Sequence, residues 1–166
     1  MVGLGKRARQ WEEEMLAEYL AGHHRNARVI QRVRLGPITS TLPDPALTEE
    51  ENRLIGAAWR RWADAVLITD TTLTVLEAGM MPDPGDISRI QVYLALVPST
   101  PELAPYRGRV VKGLLLWAVD DAFSRGVAVR AGLQVEIFKP SNFTEWVQGK
   151  RARDKTPPRT PAGLVP

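Results

Sequence analysis

No cysteine occurs in the 166 residues, so the chain holds no disulfide and no thiolate metal site, and its redox compartment is not readable. Histidine is scarce, with only His23 and His24, adjacent at the end of a predicted helix. With no third histidine, they read as surface residues and not as a metal site. No apolar run approaches the roughly 20 residues of a membrane span, and "MVGLGKRARQW" lacks the apolar core of a secretory signal. A soluble intracellular or assembly-bound protein with no membrane role is therefore expected. There is no internal repeat and no glycine-rich phosphate loop.

What is present fits one globular domain. Hydrophobic residues make up 44% and charged residues 25%, ordinary proportions for a folded soluble chain. The net charge of +3 is unevenly placed. Lys6, Arg7 and Arg9 lie in the first ten residues. Lys150, Arg151, Arg153, Lys155 and Arg159 lie in the last seventeen, against one acid, Asp154. The middle then carries 14 basic and 18 acidic residues. The expected division is a domain over 1–149 and a basic, proline-rich tail over 150–166. Pro157, Pro158, Pro161 and Pro166 argue against helix or central strand there. The tail is expected to run extended over a neighbouring subunit, anchored by Leu164 and Val165, its basic groups meeting acids.

Apolar periodicity gives the elements. Trp11, Met15, Leu16, Tyr19 and Leu20 predict a helix over 6–22. Residues 28–36 alternate as a strand. Thr48 and Glu51 form a capping box for a helix running to about Trp59. Strands follow at 62–69 and 72–78, and a helix at 86–97. Residues 110–119, "VVKGLLLWAV", read as a central strand buried on both faces. A helix at 120–131, a strand at 133–138 and a short terminal helix carrying Phe143, Trp146 and Val147 complete the order. The class is α/β: a mixed sheet of about five strands with helices on its faces.

The stretch "WADAVLITDTTLTVLEAG" carries the chemistry. With Asp70 and Thr71 at the corner of a hairpin, paired residue numbers sum to 141, which places Asp64 opposite Glu77. Two opposed carboxylates repel unless a divalent cation lies between them; Mg2+ takes carboxylate oxygens and water. Solvated acids near the strand ends are the alternative. Trp59 and Trp62 flank Arg60 and Arg61, a pattern that serves core or boundary anchoring more often than base stacking. Met80 and Met81 sit at the mouth of the hairpin, as packing or as a partner-facing patch.

These residues resemble the PD-(D/E)XK nuclease-like superfamily. The likeness in element order covers roughly 12–147, and specific positions match over 62–93. The resemblance implies a restriction-endonuclease-like core with Asp64 and Glu77 as the metal-ligand pair, and Mg2+ as a possible but not required cofactor. It implies a glutamate on the first helix, Glu18 or Glu14, with Glu18 preferred. The family's glutamine and tyrosine on the crossing helix fall at Arg89 and Tyr93, so the tyrosine is kept and the glutamine is not. The lysine expected two residues past the glutamate is Gly79. That lysine orients water and offsets charge on the phosphate. Its loss should cost about 10²–10³ in rate, judged from removal of one charge-stabilising donor. Arg89 could supply a relocated cation, although it stays protonated and cannot act as a base; Lys112 lies away from the site. As an alternative to any phosphate role, Arg89 could pair with Asp86 or Glu77.

The resemblance therefore implies a catalytically degraded domain acting as an adaptor subunit, in the manner of nuclease-like phage head-completion or head–tail connector proteins. Oligomeric protein partners are expected, and DNA is a possible one. A Mg2+-dependent nuclease using Arg89, and a nucleic-acid-binding module without chemistry, are the alternatives.

Overall fold

The computed structural model describes residues 4–24, 27–38 and 44–154. The chain runs α1 (Leu4–His23), β1 (Arg28–Leu35), α2 (Glu49–Trp59), β2 (Arg61–Ile68), β3 (Thr72–Gly79), α3 (Pro84–Leu96), two 3₁₀ turns (Val97–Ser99, Pro101–Tyr106), β4 (Val110–Trp117), α4 (Ala122–Arg130), β5 (Gln134–Ile137) and α5 (Phe143–Asp154). This is an α/β domain with one five-stranded mixed sheet, in the spatial order β1-β2-β3-β4-β5. The first three strands pair antiparallel, and β3, β4 and β5 pair parallel.

Alternation along the strands sends side chains to two cores. Ala65, Leu67, Leu76, Leu114 and Leu116 meet Met15, Leu16, Tyr19 and Leu20 of α1, with Phe143 and Trp146 of α5 packed beside them. On the other face Val66, Val75, Leu115 and Trp117 meet Ile87, Ile90 and Tyr93 of α3. Gly113 admits α3 closely to β4: a Cβ there would lie 2.7 Å from a Leu133 methyl and 3.2 Å from Ile90. Of β4, Gly113 to Trp117 are buried, while Val110, Val111 and Lys112 are exposed, so only its second half is a central strand.

The hairpin adopts the expected register, with Ala65 paired to Leu76 and Ile68 to Leu73. Thr69 closes it. Its N–H donates to the Thr72 carbonyl at 3.0 Å, and the two hydroxyls bond at 2.7 Å. The β1–β2 ladder skips one position. Gln31 pairs Ala65 and Val33 pairs Ala63, leaving Arg32 unpaired at φ 53° opposite Asp64. Beyond this interruption Val33 and Ala63 turn into the α3-side core.

Helix α2 opens with the expected capping box. The Glu51 N–H donates to the Thr48 hydroxyl at 3.2 Å, and the Thr48 N–H donates to the Glu51 carboxylate at 2.8 Å. Thr48→Ala should lower unfolding free energy by about 1 kcal/mol, read as a shift in denaturant midpoint at constant m-value. The end of the chain departs from expectation. Residues 150–154, expected to begin an extended tail, continue α5 to Asp154. Lys, Arg and Ala propagate a started helix well, and the prolines begin only at 157. Lys150 sits over the Trp146 ring, 5.6 Å from its centroid, and contacts the Met81 sulfur. The side chains of Arg151 and Arg153, and all of Lys155, Arg159, Leu164 and Val165, lie outside the described residues, as does the tail they were expected to form. Among the described residues no helix is long and apolar enough to cross a membrane.

Candidate carboxylate cleft

Where the β2–β3 ladder opens, a cavity of about 900 Å3 lies between α1, the ends of β2 and β3, and the start of α3. Six carboxylates line it: the exposed Glu13 and Asp83, and four more deeply set, Glu12 from α1, Asp64 from β2, Glu77 from β3 and Asp86 from α3. Each of the four is electrostatically coupled to others in the set. Arg89 is the guanidinium paired with two of them, and Arg9 and Arg32 also line the cavity.

The structure brings Asp64, Glu77 and Arg89 together, as the hairpin register and helix placement anticipate. An Asp64 oxygen accepts the Ala78 N–H at 2.9 Å, which continues the strand pairing through a side chain. Glu77 Oε1 accepts from Arg89 Nη1 at 2.5 Å. The same nitrogen lies 3.3 Å from Asp86 Oδ1, and Asp86 Oδ2 accepts from the Trp117 indole at 3.4 Å. Arg89 thus pairs with both Asp86 and Glu77. Glu77 is only 5% exposed, and its second oxygen is buried with no hydrogen-bond partner.

Helix α1 supplies a different glutamate from those expected. Glu18 accepts the Ser141 N–H at 2.9 Å, and Glu14 accepts from Asn142 at 2.5 Å. Both fasten the turn before α5, away from the cleft. Glu12 is the half-buried glutamate that enters it, with Glu13 exposed on the same wall. Helical spacing explains the difference. Glu12 precedes Met15, Leu16 and Tyr19 by three, four and seven residues, so it rides the buried stripe. Glu18 does not.

Burial first, and neighbouring acids second, push the Glu12 carboxyl up to about 7. The Glu77 carboxyl also stands at about 7, raised by burial and by Asp64, although Arg89 pulls it down. Asp64 and Asp86 are raised as well, burial being the main cause in both. Tyr93, buried beneath the cluster, is pushed up to about 12, by burial and then by Glu77. Removing water from several like charges favours their protonated forms, and the nearby arginines offset this only in part.

Gly79 marks the closed side of the cleft. A Cβ there would stand 3.1 Å from the Met81 carbonyl, 3.3 Å from Asp86 Oδ2 and 3.6 Å from Trp117. Asp86 therefore holds the space that a longer side chain at 79 would need. Lys112 stays apart: it pairs with Thr74 near the other end of β3 and is not part of the cavity wall. Asp64 and Glu77 suit a cation of the Mg2+ type, which accepts two carboxylates and completes its shell with water. Glu77 Oε2 is the oxygen free to meet it. Among the described residues no three acidic or histidine side chains form a complete cage.

The histidines do more than face solvent. Tyr19 donates to Glu136 at 2.6 Å, and His24 Nε2 lies 3.0 Å from the same hydroxyl, which ties the end of α1 to β5. Burial lowers the His24 pKa and raises that of Tyr19. Met80 is buried, whereas Met81 is 43% exposed at the rim. The Trp59 side chain lies outside the described residues. Trp62, read in the sequence more as a core or boundary anchor than as a stacking residue, is 47% exposed.

Comparison with protein-family models, with curated proteins and with solved structures finds no match to this chain.

Proposed function

We propose that the chain is a nuclease-like domain that has lost phosphodiester chemistry and serves as a structural subunit of a larger assembly. The observation that carries the loss is the filling of the Gly79 side by Asp86, a carboxylate where the resemblance calls for a lysine. Hydrolysis of a phosphodiester needs charge stabilisation and an oriented water together. Here Arg89 is engaged by Glu77 and Asp86. Exposed apolar side chains support a binding role. Phe123 is 77% exposed, Val129 59% and Ile137 37%, on α4 and on β5 at the sheet's edge.

A second reading has its own observation. Glu12 supplies the first-helix carboxylate beside Asp64 and Glu77, and this favours a Mg2+-dependent nuclease that uses Arg89. Incubation of supercoiled plasmid with Mg2+ or Mn2+ near pH 8 separates the two. The structural reading expects no more nicking than by Asp64→Ala. Nicking that Asp64→Ala abolishes would establish the nuclease. Gly79→Lys by itself should gain no activity and should lose about 1 kcal/mol of stability, because its side chain must displace Asp86 or the Met81 carbonyl.

A further inference from the structure

Next to the carboxylate cleft lies a basic aromatic patch that the reading above leaves unused. Trp62 is 47% exposed on β2, and Arg34 is its cross-strand partner on β1, an edge strand. The Arg34 guanidinium sits 4.5 Å from the indole centroid and that of Arg32 sits 5.6 Å away. Val33 and Ala63 point into the α3-side core, so Arg32, Arg34 and Trp62 project together from the opposite face. Neither arginine has a carboxylate partner among the described residues. Arg32 also lines the cleft, so the patch and the carboxylates share one rim. Arg32 holds φ at 53°, alone among the described non-glycine residues in that region. Such backbone is kept where the surroundings over-determine it, commonly at binding sites.

We propose that Trp62, Arg32 and Arg34 form a platform for single-stranded nucleic acid, which binds along the β1–β2 edge up to the cleft. An indole face stacks on any unpaired base once a guanidinium over it swings out to a phosphate, and stacking of this kind tolerates all sequences. Guanidinium groups without acidic partners take the flanking phosphates through paired N–H donors. Bases within a duplex are already stacked, so a duplex meets only the arginines and binds more weakly. The carboxylates beyond Arg32 repel phosphate and limit the strand to the rim, which suits holding rather than cutting.

Fluorescence anisotropy with an end-labelled oligothymidylate of about 15 nucleotides, at low salt and in EDTA, tests this without any divalent cation. Trp62→Ala should weaken binding about tenfold, while Trp62→Phe keeps most of it. Arg34→Ala should lower the slope of log affinity against log salt by about 0.7, in step with one lost phosphate contact on a single strand. A blunt duplex of equal length should bind less tightly than the single strand. Circular dichroism melting shows whether each variant is folded. The proposal is overturned if the wild-type chain does not bind the oligonucleotide, if folded Trp62→Ala binds as wild type does, or if the duplex binds as well as the single strand. Each of these results leaves the loss of catalysis untouched, because nothing in the assay depends on cleavage.

Discussion

Glu77→Gln should make the protein more stable near pH 8, by about 2 kcal/mol. Glu77 is buried, stands at about 7 and has one oxygen without a partner. Near pH 8 it is held ionised among Glu12, Asp64 and Asp86, and the folded chain bears that cost. A glutamine oxygen still accepts from Arg89, and its amide places donors where Asp64 crowds the site. The pH dependence carries the same sign. Glu12 and Glu77 bind protons more tightly in the folded chain, at about 7, than at the ordinary 4.5. The stability they contribute is therefore fully present below about 4.5 and is lost as pH rises through 7. Wild-type protein should gain stability between pH 8 and pH 5, against the usual acid trend, and Glu77→Gln should flatten the profile. Urea unfolding across that range reads both effects. A wild-type profile that falls steadily toward pH 5 would count against the electrostatics described for the cleft.

Arg89→Ala should act in the opposite direction, with a loss of about 2 kcal/mol near pH 8. Removing one partner of a buried pair leaves its charge uncompensated and commonly costs 3–5 kcal/mol; half-exposure of Arg89 reduces that here. The loss should shrink toward pH 5, where Glu77 is protonated and needs no counter-ion. Arg89→Lys should recover part of the loss but not all, since an ammonium cannot match the planar fork between two carboxylates. An equal loss at pH 5 and pH 8 would show that Arg89 stabilises α3 by packing and not by charge.

Much of the fold is legible in the chain. Residues 28–36 and 133–138 alternate as strands, the first helix carries its apolar stripe at Met15, Leu16, Tyr19 and Leu20, and Thr48 with Glu51 announces the second helix. The hairpin register follows from the Asp70–Thr71 corner, and with it the meeting of Asp64 and Glu77. Glu12 was hidden by its neighbours. Three glutamates run from 12 to 14, and only the phase relative to the buried stripe selects the first. Trp62 reads in the sequence more as a core or boundary anchor than as a stacking residue, and its 47% exposure departs from that because strand alternation shifts where Arg32 interrupts the ladder. Asp86 closing over Gly79 was beyond reach, since it depends on how α3 docks against β3 and Trp117. The helical run of α5 to Asp154 is carried by "KRARD", while the prolines from 157 onward argue for an extended chain.

Loss of catalysis is the central claim, and a single-turnover assay meets it most directly. The full chain, in molar excess over end-labelled single- and double-stranded DNA, is incubated with Mn2+ near pH 8 and the products are resolved nucleotide by nucleotide. Because Asp86 fills the Gly79 side and Arg89 is engaged by two carboxylates, the account predicts no cation-dependent product beyond that of Asp64→Ala. A product that requires Mn2+ and vanishes in both Asp64→Ala and Arg89→Ala would contradict it and make this cleft an active site.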